Sequence, residues 1–124
     1  MSIRQSRSYG RELESVDQLA GTLAELVMGW GVAPDRFLVG DRRWMPRWRF
    51  QPLNNLDDAF KLLDATNGTF RLTLTADRCF AAKVRVGRRT GGARGKSPAA
   101  VVTLAVAIAI GIELPKEIAE ALLK

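Results

Sequence analysis

The chain has 124 residues, enough for one hydrophobic core and too few for two full-sized domains. Apolar residues make up 47% and charged residues 26%, a globular balance that excludes a disordered tail, and 19 Lys and Arg against 13 acids leave a net charge of +6. The absence of histidine removes the commonest general base and metal ligand and any Ser-His or Cys-His nucleophile, while a single cysteine, Cys79, excludes an internal disulfide and suits a reducing cytoplasm.

Residues 1–10, MSIRQSRSYG, are polar, lack the apolar stretch of a signal peptide, and read as a flexible leader to a single domain over 11–124. From Glu12 to Trp30, Leu13, Val16, Ala20, Leu23, Val27 and Trp30 recur at steps of three and four. That spacing predicts an amphipathic helix, its apolar stripe widened by Leu19 and Leu26 and its end marked by Gly29, Gly31 and Pro34. Residues 35–53 carry no clean period; WMPRWRF suits a strand that Pro46 confines to a sheet edge. A second helix is expected after PLNN, with Asn54 or Asn55 as N-cap and Leu56, Ala59, Phe60 and Leu63 buried. Asp57 and Asp58 fall in its first turn, where the helix dipole favours acids, and the Asn67-Gly68 pair ends it.

Strict alternation then runs through Phe70, Leu72 and Leu74 and resumes at Phe80, Ala82, Val84 and Val86, which predicts a β-hairpin. Keeping both apolar sets on one face requires an odd loop, placed here at 77–79 with Leu74 opposite Ala82 and Leu72 opposite Val84. Ser97 and Pro98 read as N-cap and first residue of a helix that is apolar on every side, and therefore central. Its apolar run, residues 99–112, is shorter than the roughly 20 residues needed to cross a bilayer, so no membrane contact is expected. A short final helix, 115–124, follows Gly111, with Ile118, Ala121 and Leu122 on one face. The fold class is α+β: a small antiparallel sheet around a central hairpin, packed between helices.

Two basic stretches are candidate sites. VRVGRRTGGARGKS ends in Gly95-Lys96-Ser97 before a helix, which resembles the phosphate-cradling loop of ATPases, but the required first glycine would be residue 90, which is Thr90. Asp77 is also the sole acid between Asp64 and Glu113, which leaves no Mg²⁺ ligand beside it. What remains is a Gly- and Arg-rich loop at a helix N-terminus, with Arg85, Arg88, Arg89, Arg94, Lys96 and Ser97 as an anion-binding set. A solvated charge run, or contact with an acidic protein surface, accounts for the same residues. The second stretch interleaves Arg42, Arg43, Arg47 and Arg49 with Trp44 and Trp48. This pattern serves base stacking, or equally a tryptophan core with arginines over its outer faces. Cys79 has no accompanying base and reads as a bystander. Neither metal nor cofactor is implied.

LAELVMGW at 23–30, QPLNNLDDAFKLLDAT at 51–66 and SPAAVVTLAVAIAIG at 97–111 together resemble the phage ABA sandwich domain family, in the same order along the chain. The resemblance covers about residues 12–111 and leaves out the Arg-rich segment 84–96, the region 36–49 and the C-terminal PKEIAEALLK. It implies a small α/β/α sandwich encoded by phages or prophages, and no catalytic residues. The functional expectation is a non-enzymatic accessory protein that binds a nucleotide or nucleic acid through the basic loop, with counter-defence as the role the resemblance suggests. The alternatives are an inhibitor of a host protein, of the anti-CRISPR or other anti-defence type, and a purely structural phage protein. Oligomeric state is left open.

Overall fold

A computed structural model describes residues 16–123, with side chains from residue 18 onward; the expected leader and Leu13 lie outside this range. The first helix, α1 (Val16–Leu23), passes directly into a π-helical turn, Ala24–Met28, capped by Gly29 at φ 74°. The wider turn shifts the phase of the apolar stripe. Leu19, Leu23 and Ala24 are buried, whereas Leu26, expected to widen the stripe, is 50% exposed.

The unpatterned stretch that follows forms a three-stranded antiparallel sheet of β1 (Gly31–Val32), β2 (Arg36–Gly40) and β3 (Arg43–Pro46). As expected, Pro46 ends an edge strand. Trp30, Phe37 and Phe50 pack edge to face or tilted at 5.0–5.9 Å between centroids, joining this sheet to the core. A 3₁₀ turn, Arg47–Arg49, leads towards α2 (Leu56–Thr66). Asn55 is the N-cap, accepting from the Asp58 N–H at 3.2 Å, and the Asp58 carboxylate accepts from the Gln51 N–H at 2.9 Å. Asp58 is thus a buried structural residue of that first turn, and Asp57 beside it is exposed. Asn67, at φ 58°, ends the helix.

The second sheet holds β4 (Thr69–Leu74), β5 (Phe80–Val86) and β6 (Arg89–Gly95), in that order and fully antiparallel. The expected hairpin is present with its register moved. Leu72 faces Ala82 and Leu74 faces Phe80, and the Thr75 N–H donates to the Cys79 carbonyl at 2.7 Å. The loop keeps three residues but occupies 76–78 rather than 77–79, because Arg78 takes the left-handed position (φ 68°) that completes such a turn. Both apolar sets stay on one face, as they must under any two-residue shift.

Helix α3 (Pro98–Ala109) lies beneath β5 and β6, and α2 packs against α3 and reaches β4 through Phe60, whose ring centroid is 5.6 Å from that of Phe70. Every α3 residue from Ala99 to Ala109 except Ile108 is buried. Its one polar side chain there, Thr103, donates to the Pro52 carbonyl at 2.7 Å, so the helix carries no unsatisfied hydroxyl. This is the central helix that its uniform apolarity predicts. Among the described residues no helix is long and apolar enough to cross a membrane. Helix α4 (Lys116–Leu123) closes the chain, with Leu122 and Leu123 against the core. The buried side chains form one continuous cluster, and the class is α+β, as expected.

The core-facing side of the hairpin is covered unequally. Ala82 and Val84 are buried, while Phe70 is 48% and Leu74 61% exposed, against the expectation that all would face the core. The reason is lateral: α3 underlies β5 and β6, and β4 lies at the sheet edge beyond it.

Candidate anion-binding face

The stretch expected as a Gly- and Arg-rich loop is the third strand, β6. Gly87, at φ 62°, and Arg88 make a tight turn, after which Arg89 pairs with Val86 and Gly95 with Phe80. The glycines serve helix packing. A Cβ on Gly91 would lie 2.3 Å from the Ala105 carbonyl and 2.5 Å from the Ala109 nitrogen of α3, and one on Gly95 would lie 2.6 Å from the Leu123 carbonyl of α4. Neither glycine is arranged to wrap a ligand; each admits a helix backbone.

The sequence-derived site residues are therefore spread out. Arg88 sits in the turn at one end of β6, and Lys96 beyond the other, on the order of 25 Å away along an extended strand. Arg89 shares the helix-side face with Gly91 and reaches the end of α3, its Nη1 2.5 Å from where a Gly111 Cβ would stand. Ser97 is the N-cap of α3, its Oγ accepting from the Ala100 N–H at 3.2 Å. Arg94 lies on the outward face and is paired with Asp77 at 2.5 Å. Of this set, only Arg85 stands with other cations that have no acid partner among the described residues.

Those cations are Arg71 and Lys83. Arg71 stands directly opposite Lys83, Thr69 opposite Arg85, and Arg85 opposite Thr90. All five side chains share the outward face, are exposed, and line a shallow depression of about 510 Å³. No acid is among its lining residues. The Arg85 Nε donates to the Gly87 carbonyl at 3.2 Å, which anchors the guanidinium over the sheet end. Like charges directly opposite on antiparallel strands destabilise a sheet, so Arg71 and Lys83 form a local conflict that an anion would relieve. The hydroxyls of Thr69 and Thr90 beside them are neutral hydrogen-bonding groups. The signal for this face was in the sequence: Arg71, Lys83 and Arg85 occupy the out-of-phase positions of the hairpin alternation.

The second basic stretch gives a divided result. Trp44 is 50% and Trp48 69% exposed, so neither is a core residue. Arg36 stacks over Trp44 at 5.2 Å and Arg49 lies 6.0 Å from the Trp48 ring. Arg47 has an inward role instead, lying 4.8 Å over Phe37 and donating to the Ala33 carbonyl at 3.1 Å. Arg42, in the β2–β3 turn at φ 58°, and Arg43 are exposed. Among the described residues no group of acids and Cys79 is placed to hold a metal ion.

No protein-family model matches the sequence, and no curated protein is similar to it. In three dimensions the chain resembles a phage protein from Bacillus cereus ATCC 14579, known from a 2.0 Å crystal structure, with a TM-score of 0.67 over 86% of this chain and 97% of that one. Sequence identity between the two is 12%, so what they share is the fold.

Proposed function

We propose that this chain is a non-enzymatic phage or prophage accessory protein that binds the phosphates of a nucleic acid or nucleotide on the outward face of β4–β5–β6. The phage assignment draws on the fold shared with the Bacillus cereus phage protein and on the resemblance to the phage ABA sandwich family. The binding assignment rests on one observation: Arg71, Lys83 and Arg85 stand together on an exposed sheet face with no acid in their depression. Two arginines and a lysine suit phosphate oxygens, the arginines through paired N–H groups and the lysine as a point charge. The flat, shallow face fits an extended strand better than a small molecule that needs enclosure.

The test is a titration of a fluorescent single-stranded oligonucleotide at two salt concentrations. Affinity should fall steeply with salt, and replacing Arg71, Lys83 and Arg85 together by alanine should flatten the logarithmic slope by roughly 2, at about 0.7 per phosphate contact. Replacing Arg88, Arg89 and Lys96 together should change it far less. Equal curves for the first variant and the wild type would overturn the assignment.

A second reading, inhibition of a host protein, rests on Trp44 and Trp48. Exposed tryptophans next to arginines are the residue types that anchor protein interfaces.

A further inference from the structure

Strand β4 is an edge. Among the described residues it pairs with β5 alone, and no bulge interrupts its register from Thr69 to Leu74. The hydrogen bond from the Thr75 N–H to the Cys79 carbonyl fixes the alternation of the whole hairpin. Residues 75, 73, 71 and 69 exchange their backbone bonds with β5, so Phe70, Leu72 and Leu74 direct N–H and C=O outward. The same three residues carry the apolar side chains of β4, and the outer two are the half-exposed Phe70 and the 61%-exposed Leu74. Free backbone groups and partly exposed apolar side chains thus coincide on one strand, where Phe70 has Phe60 on one side only, and the strand contains neither proline nor an inward-pointing charge to block pairing.

We infer that this edge pairs with a second copy of the chain, β4 against β4, around a two-fold axis at Leu72. The occupant follows from self-complementarity. In an antiparallel pair directly opposite residues share a face, so the axis must pass through a residue. At Leu72 it sets Phe70 against Leu74 of the second copy, and Leu74 against Phe70, covering both exposed side chains with each other. It also sets Arg71 against Thr73, a cation against a hydroxyl, and brings the outward backbone groups of residues 70, 72 and 74 into reciprocal bonds. An axis at Arg71 would oppose the two guanidinium groups and leave Leu74 facing Gly68. An axis at Thr73 would run Phe70 into the turn at Ala76. The Leu72 register alone satisfies backbone, apolar and charged groups together.

The contact is short. One six-residue strand and its flanking side chains give an interface at the small end of the range, so the dimer forms at micromolar concentration or above. It joins two three-stranded sheets into one and sets their Arg71–Lys83–Arg85 clusters side by side on a continuous outward face.

The experiment is sedimentation velocity on the full chain without nucleic acid, from low micromolar to near millimolar concentration, so its outcome is independent of the binding assignment. A monomer–dimer equilibrium is expected. Leu74→Lys, at an exposed position, should leave the circular dichroism spectrum unchanged and weaken the dimer by at least about tenfold. The register is read by cross-linking in a Cys79→Ser background. A mixture of Arg71→Cys and Thr73→Cys chains should form the mixed disulfide under mild oxidation faster than Arg71→Cys alone forms its own. A monomer throughout, a dimer indifferent to Leu74→Lys, or faster self-linking of Arg71→Cys would each overturn the proposal.

Discussion

Asp77 decides which cations on the outward face are free. Its carboxylate accepts a short hydrogen bond from the Thr75 hydroxyl and a second, charge-assisted one from Arg94 at 2.5 Å. The Thr75 hydroxyl, and next Arg94, hold the Asp77 carboxyl below the usual aspartate range. A depressed folded-state pKa means that the pairing is intact above the ordinary aspartate value and is lost as pH falls through the lowered one. Arg94 is therefore masked at neutral pH. Asp77→Asn should unmask it beside Lys83, since Gly92, the residue facing Lys83, lies two positions from Arg94 on the same strand face. Oligonucleotide affinity should rise, and the logarithmic salt slope should steepen by about 0.7, one further phosphate contact. An unchanged slope, measured alongside wild type, would mean that ligand does not reach the Arg94 end of the sheet.

At the scale of elements, what the sequence made legible depended on whether apolar side chains carried the signal. The second helix, the hairpin and the central helix all announce themselves through Leu, Val, Phe and Ala at fixed periods, and all three are present. Strand β6 does not. Its core-facing positions are Gly91, Ala93 and Gly95, so the alternation is of small residues, and its glycines and arginines read as a loop. The sequence-derived cation set is dispersed for the same reason: cations in β6 were counted by sequence density, whereas the pleat sends Arg89 and Arg94 to opposite faces. Of sheet β1–β3 only the edge strand at Pro46 was legible, because its strands are short and its aromatic residues alternate with arginines that have different roles. The absent side chains in β6 are themselves informative. Gly91→Ala would force a methyl group into the α3 backbone at Ala105 and Ala109, and that backbone cannot rotate away as a side chain can. Denaturant unfolding should show a loss of about 1–3 kcal/mol or more, as for other overpacked cores. Gly92→Ala, whose nearest neighbour is the Ala82 carbonyl at 3.4 Å on the open face, should cost well under that. Equal effects would mean that α3 does not rest on β6.

For the molecule as a whole, stability and the proposed phosphate binding are set against each other on the outward face. The helices and the aromatic cluster of Trp30, Phe37 and Phe50 carry the fold, while the outward face holds Arg71 opposite Lys83 with no acid in the depression they line. Such a pair weakens the free protein slightly and favours any state in which an anion lies between them. Lys83→Glu separates the two effects. It replaces a like-charge pair with an opposite-charge one, worth roughly 0.2–1 kcal/mol for a cross-strand pair, and it places an acid at the centre of the proposed phosphate site. The variant should melt a few degrees higher than wild type at low salt, and the difference should shrink as salt screens both pairs. Oligonucleotide should raise the melting temperature of the wild type through preferential binding to the folded state and leave that of Lys83→Glu unmoved. A Lys83→Glu protein that melts lower than wild type, or that is still stabilised by oligonucleotide, would show that this face is an ordinary solvated surface and that the anion site lies elsewhere.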